Sequence, residues 1–176
     1  CLATFERVIV VDPDPIARLI LARRFDRECL EFDHSPERLP WFASGADRAH
    51  PLATLLASNP RAAVLFTNVL GQLGVLLEGE SPDGCRELFL GALAQRNWAS
   101  YHDVLSTSAP FRNPWPENAP PDHELETLAR HFLLGDAEIV DHETLWLGND
   151  SAVEFAPWAL SPGKNHLIGF VSPKKP

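Results

Sequence analysis

Hydrophobic and polar positions divide the chain into runs of two kinds. Val8 to Val11 is an unbroken β-branched run, and Asp12-Pro13-Asp14-Pro15 interrupts it. Apolar residues then recur at helical spacing at Ile16, Leu19, Ile20 and Ala22. An apolar run without alternation predicts a strand buried on both faces, as in a parallel sheet covered by helices. Asp14 is suited to cap the helix that follows, and Pro15 to occupy its first turn, where a missing N–H costs nothing. Strand, acidic turn and helix therefore open the chain.

The same reading carries on. Glu28 to Asp33 alternates and predicts a short strand near a sheet edge, and His34 to Gly45 a loop. Pro51 to Ser58 predicts a helix closed by Asn59-Pro60, and Arg61 to Phe66 a second buried strand ending in Thr67-Asn68. Asp83 to Gln95 has the period of an amphipathic helix, and Asn97 to Ser108 holds another strand. Ala109 to Pro121 is a Pro- and Asn-rich loop containing Trp115. Asp122 is the candidate N-cap of a helix that Gly135 stops. Ala137 to Leu147 predicts a strand, Ser151 to Leu160 an irregular stretch, and His166 to Val171 the last strand. This alternation predicts one α/β domain over residues 1–176: a doubly wound, mostly parallel sheet with helices on both faces. The last two strands, with no helix between them, are expected to form an antiparallel pair at one edge.

Composition narrows the function. A net charge of −9 with no long basic run argues against binding to nucleic acid phosphates or anionic membranes. No apolar stretch has the length of a membrane span, and no signal-type segment opens the chain. Cys1, Cys29 and Cys85 are scattered, odd in number and without CxxC spacing, which favours reduced thiols in a cytoplasmic protein. The start at Cys1, almost directly on a strand, and the lack of any Met predict a fragment.

Candidate chemistry gathers at strand ends, because the carboxyl ends of strands face the ligand crevice in open α/β sheets. Asp12 is a candidate ribose ligand, whereas Asp14 is more simply a helix cap. Asp33 stands where an adenine amino group would donate. The Asn68 amide offers both donors and acceptors, against the alternative of an Asx turn. Gln72 is a weaker candidate. Tyr101, His102 and Asp103 form a dense polar cluster, yet strand neighbours point to opposite faces, so a His–Asp dyad does not follow. His102 and Tyr101, with Trp115, are candidates for a substrate pocket. His123-Glu124 and His131 lack the HExxH spacing of a zinc helix, and His142-Glu143 and His166 stand apart in the chain, so no metal is expected. No GxSxG, GxxxxGK[ST] or GxGxxG motif is present.

Together these segments resemble class I S-adenosylmethionine-dependent methyltransferases, whose doubly wound sheet ends in an antiparallel hairpin of the last two strands. RVIVVDPDPIARLILARRF looks like the second strand and helix of that fold, ECLEFDHSP like the third strand, and AAVLFTNVLGQLG like the fourth. AEIVDHETLWL and HLIGFV look like the closing hairpin. The resemblance implies S-adenosylmethionine as cofactor, with Asp12 on the ribose, Asp33 near the adenine and Asn68 near the methyl donor or substrate. It implies methyl transfer to an acceptor that the acidic balance makes a small molecule or a protein. The family's first strand and glycine-rich loop, due before Arg7, have no counterpart, which also removes the central strand of the sheet. Two other readings stand beside it: a degenerate Rossmann-like scaffold or binding module, and a receiver-like signalling domain. For the receiver, the strand that should end in a phosphoacceptor Asp ends in Phe66-Thr67-Asn68.

Overall fold

The computed structural model describes residues 6–11, 14–24, 30–33, 51–68, 82–136, 138–148 and 151–173. Strand β1 (Val8–Val10), helix α1 (Pro15–Arg24) and strand β2 (Leu30–Phe32) form a β-α-β unit in which β1 and β2 pair in parallel. Asp14 caps α1 as expected: its Oδ1 accepts from the Ile16 N–H at 2.8 Å, and its carbonyl accepts from Arg18 N. Helix α2 (Pro51–Ser58) leads to strand β3 (Val64–Thr67). Arg96 closes the C-terminus of α2, donating to the carbonyls of Leu56 and Pro60. Helix α3 (Pro82–Leu93), strand β4 (Trp98–Thr107) and helix α4 (Leu125–Phe132) come next. Strands β5 (Ile139–Asp141), β6 (Ser151–Ser161) and β7 (Lys164–Pro173) complete the order, with a 3-10 turn at Leu145–Gly148.

The architecture is α/β with two sheets, one of them mixed. Beside the β1–β2 pair stands a five-stranded sheet in the order β3-β4-β7-β6, with β5 also paired to β4. Only β3 and β4 run parallel in it; β4–β5, β4–β7 and β6–β7 are antiparallel. The pattern predicted a mostly parallel sheet instead.

The expected closing hairpin is present and uses the expected last strand, but with a different partner. Its partners are β6 and β7, joined by a tight turn with Gly163 at φ 71°. The stretch read as irregular is thus an 11-residue strand. Pro157 lies within it, and the edge position of β6 in the described sheet explains why a Pro is tolerated there. The stretch read as a long strand, Ala137 to Leu147, keeps only β5 before the 3-10 turn, and it pairs with β4 rather than β7. Asp122 is not the cap of α4 either. That position is Glu124, while Asp122 accepts from the Glu124 N–H one turn earlier.

Among the described residues two clusters form the core, and both lie on one face of the sheet. Phe66 of β3 and Val171 of β7 pack with Leu52 and Leu56 of α2 and with Phe89 and Leu93 of α3. Val104, Leu105 and Leu167 pack with Leu128, Ala129 and Phe132 of α4. The latter stripe recurs at the helical period, which is why α4 lies flat on the sheet. Helices on both faces were expected. Among the described residues, α2, α3 and α4 share one face. The opposite face carries Leu65, Trp158 and Phe170, exposed by 61%, 43% and 44%. No helix among the described residues is long and apolar enough to cross a membrane.

Candidate functional site

One edge of β4 is shared by two strands of opposite direction. β3 covers its first half, up to the pair Thr67↔Tyr101, and β5 covers its last part, from Leu105↔Asp141 to Thr107↔Ile139. Between them a notch remains beside Asp103, and the carboxyl ends of both strands open onto it.

Asn68 enters from β3. Its backbone lies in the left-handed region at φ 57°, a conformation Asn tolerates better than most residues. Its N–H donates to the Tyr101 carbonyl at 2.8 Å. The side chain is committed to Asp103: Nδ2 donates to Asp103 Oδ2 at 3.1 Å, and Oδ1 accepts from the Asp103 N–H at 3.0 Å. Asn68 therefore orients a carboxylate at the sheet's carboxyl edge.

His142 enters from β5. Its N–H donates to the Val104 carbonyl at 3.1 Å, and two residues later the buried Thr144 hydroxyl donates to the Asp103 carbonyl at 3.0 Å. Asp141 Oδ1 accepts from Glu143 N at 2.7 Å, turning the segment sharply. The His142 ring is thus anchored through its own backbone on β4.

A β-bulge in β4 completes the cluster. Asp103 pairs with Ile168, yet Leu105 pairs with Leu167, so Val104 is an extra residue. The bulge reverses the inside–outside alternation beyond it. Asp103 and Ser106, three apart, consequently share a face, and Ser106 pairs with His166 of β7 on that face. Ser106 Oγ lies 2.6 Å from His142 Nε2 and 3.2 Å from His166 Nδ1. His166 Nδ1 is also 3.2 Å from Asp103 Oδ1. That separation is of ion-pair length but lacks hydrogen-bond geometry, and Asp103 Oδ1 is a buried oxygen without a hydrogen-bond donor among the described residues. His166 Nε2, turned the other way, likewise has no described hydrogen-bond partner. Both side chains are only 9% exposed. Ligand-type atoms of Asp103, His142 and His166 all lie within 4.8 Å of one another.

His102 points to the opposite face, as strand alternation requires. It is buried, its Nδ1 is 3.0 Å from Ser100 Oγ, and it lines a narrow cleft with His123, Thr144, Gly148 and Phe155. Burial pushes its pKa down to about 4, only partly opposed by the charge of Asp103. His102 and Asp103 therefore do not form a dyad.

The other sequence candidates are dispersed. Tyr101 is half-buried beside Phe170, with ring centroids 6.4 Å apart, on the Asp103 face. Trp115 stacks on Phe132 of α4 at 4.5 Å and 9°, and meets Phe111 edge-on. It packs over the second core cluster, on the helical face. Asp33 ends β2, half-buried, its N–H on the Val10 carbonyl at 2.9 Å. Asp12 and Gln72 lie outside the described residues.

Ser106, His142 and His166 were missed by sequence reasoning as members of one cluster. They come from three strands, and period-two alternation places Ser106 opposite Asp103 unless the bulge is known. The only signal in the chain was several His residues next to strand ends. No protein-family model, curated protein or solved structure matches this chain.

Proposed function

We propose that the chain is a Rossmann-like methyltransferase domain that binds S-adenosylmethionine at the carboxyl ends of β1, β2 and β3. The acceptor of the methyl group is a small molecule or a protein. One observation carries the reading: an antiparallel β7 lies between β4 and β6 and closes a sheet whose β3–β4 pair is parallel. A second feature supports it. Among the described strands, β1 pairs only with β2 and β3 only with β4. Each has one edge toward which the central strand of a doubly wound sheet would run.

The residues at these strand ends fit an adenosine in part. Asp33 is half-buried at the end of β2, suited to accept from an adenine amino group. Asp12 stands two positions beyond the last residue of β1 in the chain and is assigned to the ribose hydroxyls. Asn68 contributes by holding Asp103 rather than by a free amide. Bound S-adenosylmethionine supplies a methyl group on a sulfonium sulfur; the chain's own work is to hold donor and acceptor in line.

Calorimetric titration with S-adenosylhomocysteine tests the reading, using the chain alone and in its full native context. Saturable binding that weakens at least tenfold in Asp12→Asn and Asp33→Asn is the expected result. Absence of binding in both contexts refutes it. That outcome favours a binding module, a reading for which α1 speaks: Ile16, Leu19 and Ile20 form an apolar stripe and are each exposed by 47% or more.

A further inference from the structure

The geometry points to a divalent transition-metal site, of the zinc class, formed by Asp103 Oδ1, His142 and His166 at the notch of β4. The inference does not rest on the adenosine reading.

The protons in this cluster do not suffice for its acceptors. Ser106 has one hydroxyl hydrogen and stands between two imidazole nitrogens. If it donates to His142, then His166 Nδ1–H donates to Ser106, and Asp103 Oδ1 is left with nothing. A buried carboxylate oxygen without a donor is costly. A proton on His166 Nδ1 does not serve the carboxylate, because the 3.2 Å approach to Asp103 Oδ1 lacks hydrogen-bond geometry. One cation bound by Asp103, His166 and His142 meets the need of the orphaned oxygen and uses a lone pair on each ring.

The distances fit. Zinc bonds of about 2.0–2.2 Å to nitrogen and oxygen, at tetrahedral angles, separate ligand atoms by roughly 3.3–3.5 Å. Asp103 Oδ1 and His166 Nδ1 are 3.2 Å apart, and all three ligand atoms fall within 4.8 Å of one another. The outer partner is already in place, since Asn68 holds Asp103 Oδ2 and leaves Oδ1 for the ion. Two imidazoles and one carboxylate suit zinc or cobalt, whereas magnesium and calcium require a mostly oxygen shell. Three protein ligands leave a fourth position for an exogenous water or substrate oxygen.

The test is titration of the metal-stripped chain with Zn²⁺ by calorimetry and with Co²⁺ by visible absorption. One equivalent should bind, with Co²⁺ giving the intense bands of a four- or five-coordinate site. Affinity should fall at least tenfold in Asp103→Asn and His142→Ala, and persist in His123→Ala, His131→Ala and a variant with all Cys changed to Ser. Asp103→Asn puts the fold at risk. His142 is half-buried, so His142→Ala, checked by circular dichroism, keeps the test decisive. No saturable Zn²⁺ binding, binding unchanged in a folded His142→Ala, loss in the Cys variant, or preference for Mg²⁺ would each overturn the assignment.

Discussion

Asn68 and Asp103 hold one another reciprocally: the amide donates to the carboxylate at 3.1 Å while accepting the Asp103 backbone N–H at 3.0 Å. Two strands that pair only as far as Thr67↔Tyr101 are thereby locked beyond the end of their ladder. Asn68 does this from a left-handed backbone, so three substitutions separate its roles. Asn68→Gly loses both side-chain bonds but keeps the backbone, an expected loss of about 1–3 kcal/mol. Asn68→Ala loses the same bonds and adds about 1–2 kcal/mol of left-handed strain. Asn68→Asp faces Asp103 with a second carboxylate and should be most harmful at neutral pH, recovering toward acid. Urea denaturation of the three variants at pH 7 and pH 5 checks the order.

Burial of His102 links stability to pH. Its folded pKa, about 4, lies below the ordinary 6.5, so between these values the unfolded chain binds the extra proton. The contribution is therefore present in full above pH 6.5 and is lost as pH falls toward 4, on the order of 3 kcal/mol. His102→Gln should flatten this part of the stability–pH curve, measured by denaturation at half-unit steps. An unchanged slope would mean that other groups carry it.

Gly169 lets β7 pass close to the His102 face. A Cβ there would stand 2.9 Å from Val104 Cγ2 and 3.1 Å from His102 Nε2. Gly169→Ala should cost about 1–3 kcal/mol by overpacking. Val104→Ala in the same chain should recover part of that loss, giving a favourable coupling in a double-mutant cycle of thermal melts.

Trp115 separates packing from binding. If its stacking on Phe132 is its whole role, Trp115→Ala destabilises by roughly 2–3 kcal/mol, below the 3–5 typical of a fully buried aromatic, and leaves S-adenosylhomocysteine affinity unchanged. A tenfold weaker ligand with stability intact would return Trp115 to a pocket. Denaturation and calorimetry on the one variant decide between them.

Local chemistry was the legible part of this chain. Asp14 and Pro15 announced α1, the run Arg61 to Phe66 announced β3, and Asn59-Pro60 announced the end of α2. These are decided within a few residues by capping and backbone restriction. What stayed hidden was decided by pairing across the sheet. Ser151 to Leu160 read as irregular, and pairing with β7 along its length is what makes it a strand. Ala137 to Leu147 had strand-like residues, but only Ile139–Asp141 pairs with β4 before the chain turns at Asp141 and enters the 3-10 turn. The cluster around Asp103 was hidden twice. His142 and His166 are distant in the chain, and plain alternation puts Asp103 and Ser106 on opposite faces until the bulge at Val104 brings them together.

That bulge makes spacing matter more than identity. Regular pairing at the present spacing would send the hydroxyl into the helical layer and turn Leu105 outward, so an interval of three holds the cluster only together with the extra residue. Distant kin of this chain would then be marked by an interval, an acid and a hydroxyl residue two positions short of adjacency on the fourth strand, with an imidazole ending the fifth and another on the seventh. Length variation anywhere else in the molecule would leave that signature readable.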